Sequence, residues 1–101
     1  SANPYLLMSV ALAAGLHGID AKIDPGKCLD IDMYANPELA GETKKLPLNL
    51  LDALRNFDKD ESLKQALGNE FSDAYIKLKM DDWNKYSRHL TQWERDTTLD
   101  C

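Results

Sequence analysis

Cysteine, histidine and glycine are all scarce here, with 2, 2 and 5 copies in 101 residues, and each scarcity removes a class of chemistry. Cys28 and Cys101 lie far apart, and neither belongs to a CxxC pair or to a Cys/His set with zinc spacing. Free thiols in a reducing cytosol are therefore expected, and nothing in the sequence supports a disulfide between them. The glycines build no GxxxxGK[ST], GxGxxG or GxSxG motif, so neither a phosphate-cradling loop nor a nucleophile elbow is present. Basic charge is in the minority as well: 12 Lys and Arg stand against 17 Asp and Glu, for a net charge of -5. Binding to nucleic acid or to an anionic membrane needs a basic patch that displaces counterions, and Lys44-Lys45 is the nearest approach to one. Neither partner is expected. The longest apolar run, Tyr5 to Leu16, falls well short of the roughly 20 residues of a membrane span, and no Lys or Arg precedes it as in a signal peptide. The expected location is cytoplasmic.

What is present is an ordinary globular composition, 44% hydrophobic and 29% charged, which argues against disorder. A chain of this length buries about two thirds of its unfolded surface, enough for one small core or for a share of a larger one. The apolar residues are placed unevenly. The chain opens into its most apolar segment, whereas termini are normally polar and exposed. Such an opening is expected of a helix cut from a larger body.

A helix is predicted over 4–23, with Asn3 as N-cap acceptor and Pro4 at the first helical position, where a missing N–H costs nothing. It is apolar on nearly every face up to Leu16 and should therefore be buried. Ala11, Ala13, Ala14, Gly15 and Gly18 should let another backbone approach closely. Asp24-Pro25-Gly26-Lys27 reads as a turn, and 24–46 as a long exposed loop. Short helices follow over 50–57, capped by Asn49, and over 61–67, started by Asp60 and stopped by Gly68. The last helix is the longest, 70–93, capped by Asn69. It carries Phe71, Ala74, Tyr75, Leu78 and Tyr86 on one face and a second line of Ile76, Met80 and Trp83. A polar tail, 94–101, ends the chain. No strand-like alternation persists, so the fold class is all-α.

Few residues invite a functional reading. His17 with Asp20 is conceivable as a metal pair, but a histidine simply hydrogen-bonded in or near the core explains it better. Asp20, Asp24, Asp30 and Asp32 lack the alternation, central Gly and terminal Glu of an EF-hand. No Ser, Cys or Lys nucleophile has a base nearby. No catalytic, cofactor-binding or metal-ligating residue is therefore assigned. Two positions stand out for other reasons. Tyr34, in the loop, is a candidate modification acceptor, against the alternative of a ring folded onto the surface beside Met33. Trp93 and Leu99, isolated apolar anchors on a polar tail, are candidates for docking on a neighbouring subunit.

Five blocks of the chain resemble, in order, the glutamine synthetase family. Asn3-Pro4-Tyr5-Leu6 with Ala13-Ala14-Gly15-Leu16 and Gly18-Ile19 resembles the family's helix after its Arg-Phe-Pro-Asp segment. Lys22-Ile23-Asp24-Pro25-Gly26 resembles its Lys-Ile-x-Pro-Gly turn, and Asp32-Met33-Tyr34 its Asp/Asn-Leu-Tyr. Leu51-Asp52-Ala53-Leu54 and Asp73-Ala74-Tyr75-Ile76-Lys77-Leu78-Lys79 complete the series. The resemblance implies the helical C-terminal subdomain of an α+β catalytic domain. The parent would be an ATP-dependent ligase that joins glutamate's γ-carboxylate to ammonia through a γ-glutamyl phosphate, with Mg or Mn neutralising the phosphates. Family members that use methylamine or polyamines remain alternatives. The metal-binding glutamates and substrate-binding arginines of the family lie mostly upstream, so this piece should bind no cofactor and have no activity alone. Its implied partners are the remainder of the catalytic domain and further copies in a homo-oligomer.

Tyr34 matches the tyrosine adenylylated in some bacterial type I enzymes, but Ala35-Asn36-Pro37-Glu38-Leu39-Ala40-Gly41 departs from the Asp-Leu-Pro-Pro that follows it there. The ending from Trp93 to Cys101 also departs from the type I form and looks more like a divergent, type III-like bacterial branch. A stand-alone helical interaction module without catalysis is the competing expectation, since the residues themselves supply no catalytic set.

Overall fold

The computed structural model describes residues 2–98, and the described residues are helical and irregular, without strands. The chain divides into two compact units, Ser1–Leu48 and Asn49–Cys101.

The first unit is dominated by α1, Pro4–Asp20. Asn3 caps it as an acceptor for the N–H groups of Tyr5 and Leu6, at 3.0 and 3.3 Å, which satisfies two of the helix's unpaired amides. The helix stops at Asp20 rather than reaching Ile23. The cause is a Schellman closure built without glycine: Ile23 N–H donates to Gly18 O at 3.0 Å and Lys22 N–H to Ile19 O at 3.1 Å, with Lys22 at φ 49. A left-handed residue at this place reverses the chain and pairs the last carbonyls.

The expected burial of α1 is not realised within this chain. No residue of the helix is buried, and Tyr5, Leu12 and Ile19 are 78%, 65% and 73% exposed. A methyl group placed on Gly15 or Gly18 would meet nothing within 4 Å. The segment read as a loop over 24–46 contains a 3-10 turn at Pro37–Ala40. It also contains two turns closed by aspartates: Asp24 accepts from Gly26 N–H at 2.8 Å, and Asp32 from the N–H groups of Tyr34 and Ala35 at 2.9 and 3.2 Å.

The second unit holds α2 (Leu50–Lys59), α3 (Glu61–Leu67), α4 (Asn69–Arg88) and α5 (Gln92–Thr98). Helices α2, α3 and α4 pack on one another. Asn49 caps α2 by accepting from Asp52 N–H at 2.8 Å, and Asp60 caps α3 by accepting from Leu63 N–H at 3.1 Å. Helix α2 continues two residues past Phe57, to the point where Asp60 turns outward to start α3. Gly68, at φ +96, is where α3 ends and α4 begins. Asn69 is thus the first residue of α4 and not its cap; the cap position is Gly68, which offers no side chain.

At the core, Leu54 is 4% exposed and Ser72 fully buried. Phe57 meets Tyr75 edge-on at 6.3 Å between ring centroids, and Phe71 stacks on Tyr75 at 6.0 Å. On α4 the more covered line is Tyr75, Ile76, Met80 and Trp83, all half-buried. Phe71, Leu78 and Tyr86, expected on the inner face, are exposed.

The predicted helix over 70–93 is in fact two. Helix α4 ends at Arg88, with His89 extended at ψ 119, and residues 94–98 of the expected tail belong to α5. A reciprocal pair separates them: Glu94 accepts from both the N–H and the hydroxyl of Thr91 at 2.8 Å, while Thr91 Oγ1 accepts from Glu94 N–H at 3.2 Å. This capping box satisfies donors that an unbroken helix would have to bond internally, so a helix start is favoured at Thr91 over continuation.

Candidate functional site

The densest polar arrangement lies where the three packed helices of the second unit converge. Lys64, on α3, has a side chain only 12% exposed, and its Nζ lies 3.2 Å from Asp58 Oδ1 on α2 and 3.9 Å from Asp73 Oδ1 on α4. It also donates to the carbonyl of Asp58 at 3.3 Å and stands 3.9 Å from Glu61 Oε1. The hydrogen bond to Asp58 raises its pKa above the ordinary 10.5; desolvation opposes this, and the charges of Glu61, Asp58 and Asp73 add to it. Lys64 is therefore a fixed cation that ties α2 and α4 to α3. Beneath it, Ser72 Oγ donates to Lys64 O at 3.1 Å, pairing one of the carbonyls left open at the end of α3.

The three carboxylates of this cluster share the Lys64 ammonium group. Among the described residues no group of three or more His, Cys, Asp and Glu side chains is placed to hold a metal ion. An open groove of about 450 Å³ runs along α4 beside the cluster, lined by Asp58, Asp73, Ile76, Lys77, Met80, Asp81 and Asn84. Asp81 is paired with Lys85 at 2.8 Å, and that hydrogen bond raises the lysine's pKa.

The residues singled out from sequence do not come together. Tyr34 sits in the first unit with its ring fully exposed, not folded back beside Met33. Its backbone is held by Asp32, which also accepts at its carbonyl from Asn36 N–H at 2.9 Å, so an ordered turn presents the phenol to solvent. Trp93 is 71% exposed on α5, and its carbonyl accepts from Thr97 Oγ1 at 2.7 Å. Leu99, the other docking candidate, lies outside the described residues, as does Cys101. Cys28 is an exposed free thiol. His17 is exposed in the last turn of α1 and accepts at its carbonyl from Ala21 N–H at 2.9 Å. The expected place in or near the core is not found, since the residue is exposed.

Sequence reading passed over Lys64, Ser72 and the Thr91/Glu94 pair. The first two act through neighbours on other helices and carry no local signal. The third does: Thr91-Gln92-Trp93-Glu94 is a capping box in sequence. The bonds that Thr91 donates hold Glu94 below its ordinary pKa, and the charge of His89 lowers it further.

The assignment rests on similarity. Residues 1–98 match the family model described as glutamine synthetase, catalytic domain. The chain belongs to the glutamine synthetase catalytic-domain family. It is 61% identical over 98 residues to a glutamine synthetase of Rhizobium leguminosarum bv. phaseoli, covering 97% of this chain and 22% of that protein. It is 36% identical over 104 residues to a glutamate–methylamine ligase of Methyloversatilis universalis, covering 99% of this chain and 23% of that protein. Among solved structures, apo GmaS without ligand superposes with a TM-score of 0.89 at 51% identity, covering 99% of this chain and 23% of the GmaS chain. The chain thus spans somewhat under a quarter of the length of these glutamine synthetase relatives. Its described residues form a portion of such a catalytic domain whose regular elements are all helices. No described helix is long and apolar enough to cross a membrane.

Proposed function

We propose that this chain is the helical C-terminal portion of a cytoplasmic ligase that uses ATP to join an amine to the γ-carboxylate of glutamate, with ammonia as the amine and glutamine as the product. The reading is carried by the family match over residues 1–98. Divalent cations, Mg or Mn, would serve the phosphoryl-transfer step from residues elsewhere in the intact protein. Phosphoryl transfer depends on positioning and charge neutralisation around the phosphates, and the acidic groups that converge in this portion are already engaged by Lys64.

The role of this portion is structural. Its apolar α1 supplies a face for the remainder of the catalytic domain, and Trp93 with Leu99 supplies contacts to another subunit of a homo-oligomer. Tyr34, presented by the Asp32 turn, is the position we assign to covalent modification. Incubation of the intact protein with an adenylyltransferase and ATP should then add mass to the peptide containing Tyr34, and an unchanged mass would reject that assignment.

A second reading, methylamine as the amine, is favoured by the relative named as a glutamate–methylamine ligase. The intact protein, supplied with ATP and glutamate, should release phosphate with ammonia and not with methylamine; the reverse preference would establish the second reading. Turnover by residues 1–101 alone would overturn the structural role.

A further inference from the structure

We draw no further inference here: the strongest candidate, the open groove along α4 with its Ile76 and Met80 floor, has acidic walls already paired with Lys64 and Lys85, and nothing in the structure shows what covers it.

Discussion

The two units of this chain spend their apolar residues in opposite ways. In the second, Leu54 and Ser72 are buried, and Phe57, Phe71 and Tyr75 form a contiguous ring cluster, although α2 and α4 are polar along much of their length. In the first, the most apolar helix of the chain has no buried residue. Amphipathic helices can cover one another with a single stripe each, which is what α2, α3 and α4 do. A helix apolar on nearly all sides needs neighbours on nearly all sides, and the 3-10 turn at Pro37–Ala40 is too small to provide them. The contrast separates a set of helices that covers its own apolar stripe from a helix whose apolar faces are left exposed.

The largest effect that could break this contrast comes from truncating one leucine in each unit. Leu54→Ala should destabilise the second unit by about 3 kcal/mol, in the middle of the range for buried leucine truncations. Urea unfolding followed by the fluorescence of Trp83, which rests against Tyr86 at 5.8 Å, would read it. Leu12→Ala should change the stability of the 101-residue chain by no more than about 0.5 kcal/mol, as for a surface position. If α1 is completed from outside, the same change should cost several-fold more in the intact protein, where the side chain would lose neighbours. Equal costs in the two settings would refute the idea that α1 is completed from outside.

Ser72 sharpens the comparison from the polar side. Its hydroxyl is enclosed and pairs with Lys64 O, so Ser72→Ala removes a donor and strands a helix-end carbonyl. A loss of about 1–2 kcal/mol is expected, read by the same urea titration. Ser9, the corresponding polar residue on α1, donates to Tyr5 O at 2.8 Å on an exposed surface. Ser9→Ala should therefore be close to neutral in this chain.

The parts of the fold legible in sequence were those governed by one or two neighbouring residues. Asn3, Asn49 and Asp60 each carry the capping bond their residue types favour, and Gly68 stops α3. The end of α1 was hidden because its reversal uses Lys22 where glycine is the usual signal. The break at Thr91 was visible as a capping box but lay under a helical period that ran through it. Burial of Ser72 and the reach of Lys64 to three carboxylates were not legible at all, since both depend on how α2, α3 and α4 meet. The functional reading behaved likewise: no residue in the chain announced a reaction, and the collinear blocks from Asn3 to Lys79 carried the assignment.

A smaller effect is expected at the end of α1. Lys22 holds a left-handed conformation that side-chain-bearing residues adopt at a cost. Lys22→Gly should remove that cost while adding freedom to the unfolded chain, leaving a net gain of about 0.5 kcal/mol or less. The helical circular dichroism of the chain should hold to slightly higher temperature. A clear loss would show that the lysine side chain itself anchors the turn.

The smallest effect is confined to α5 and concerns pH. Glu94 has a lowered pKa in the folded chain because the bonds donated by Thr91 favour its carboxylate. A group with a depressed folded pKa contributes stability that is present above its unfolded value and is lost as pH falls through the folded one. The capping box should therefore hold α5 at neutral pH and release it below the ordinary value of 4.5. Amide exchange at Thr97 and Thr98 should rise as pH is lowered through that window, once corrected for the intrinsic pH dependence of exchange. Amides of α2 around Leu54, whose cover is apolar, should keep their protection over the same range. Thr91→Ala should raise exchange in α5 at neutral pH and flatten its response to acid. If acid opened α2 and α5 together, the second unit would be one cooperative body, and α5 would not be the separately capped helix that Thr91 and Glu94 define.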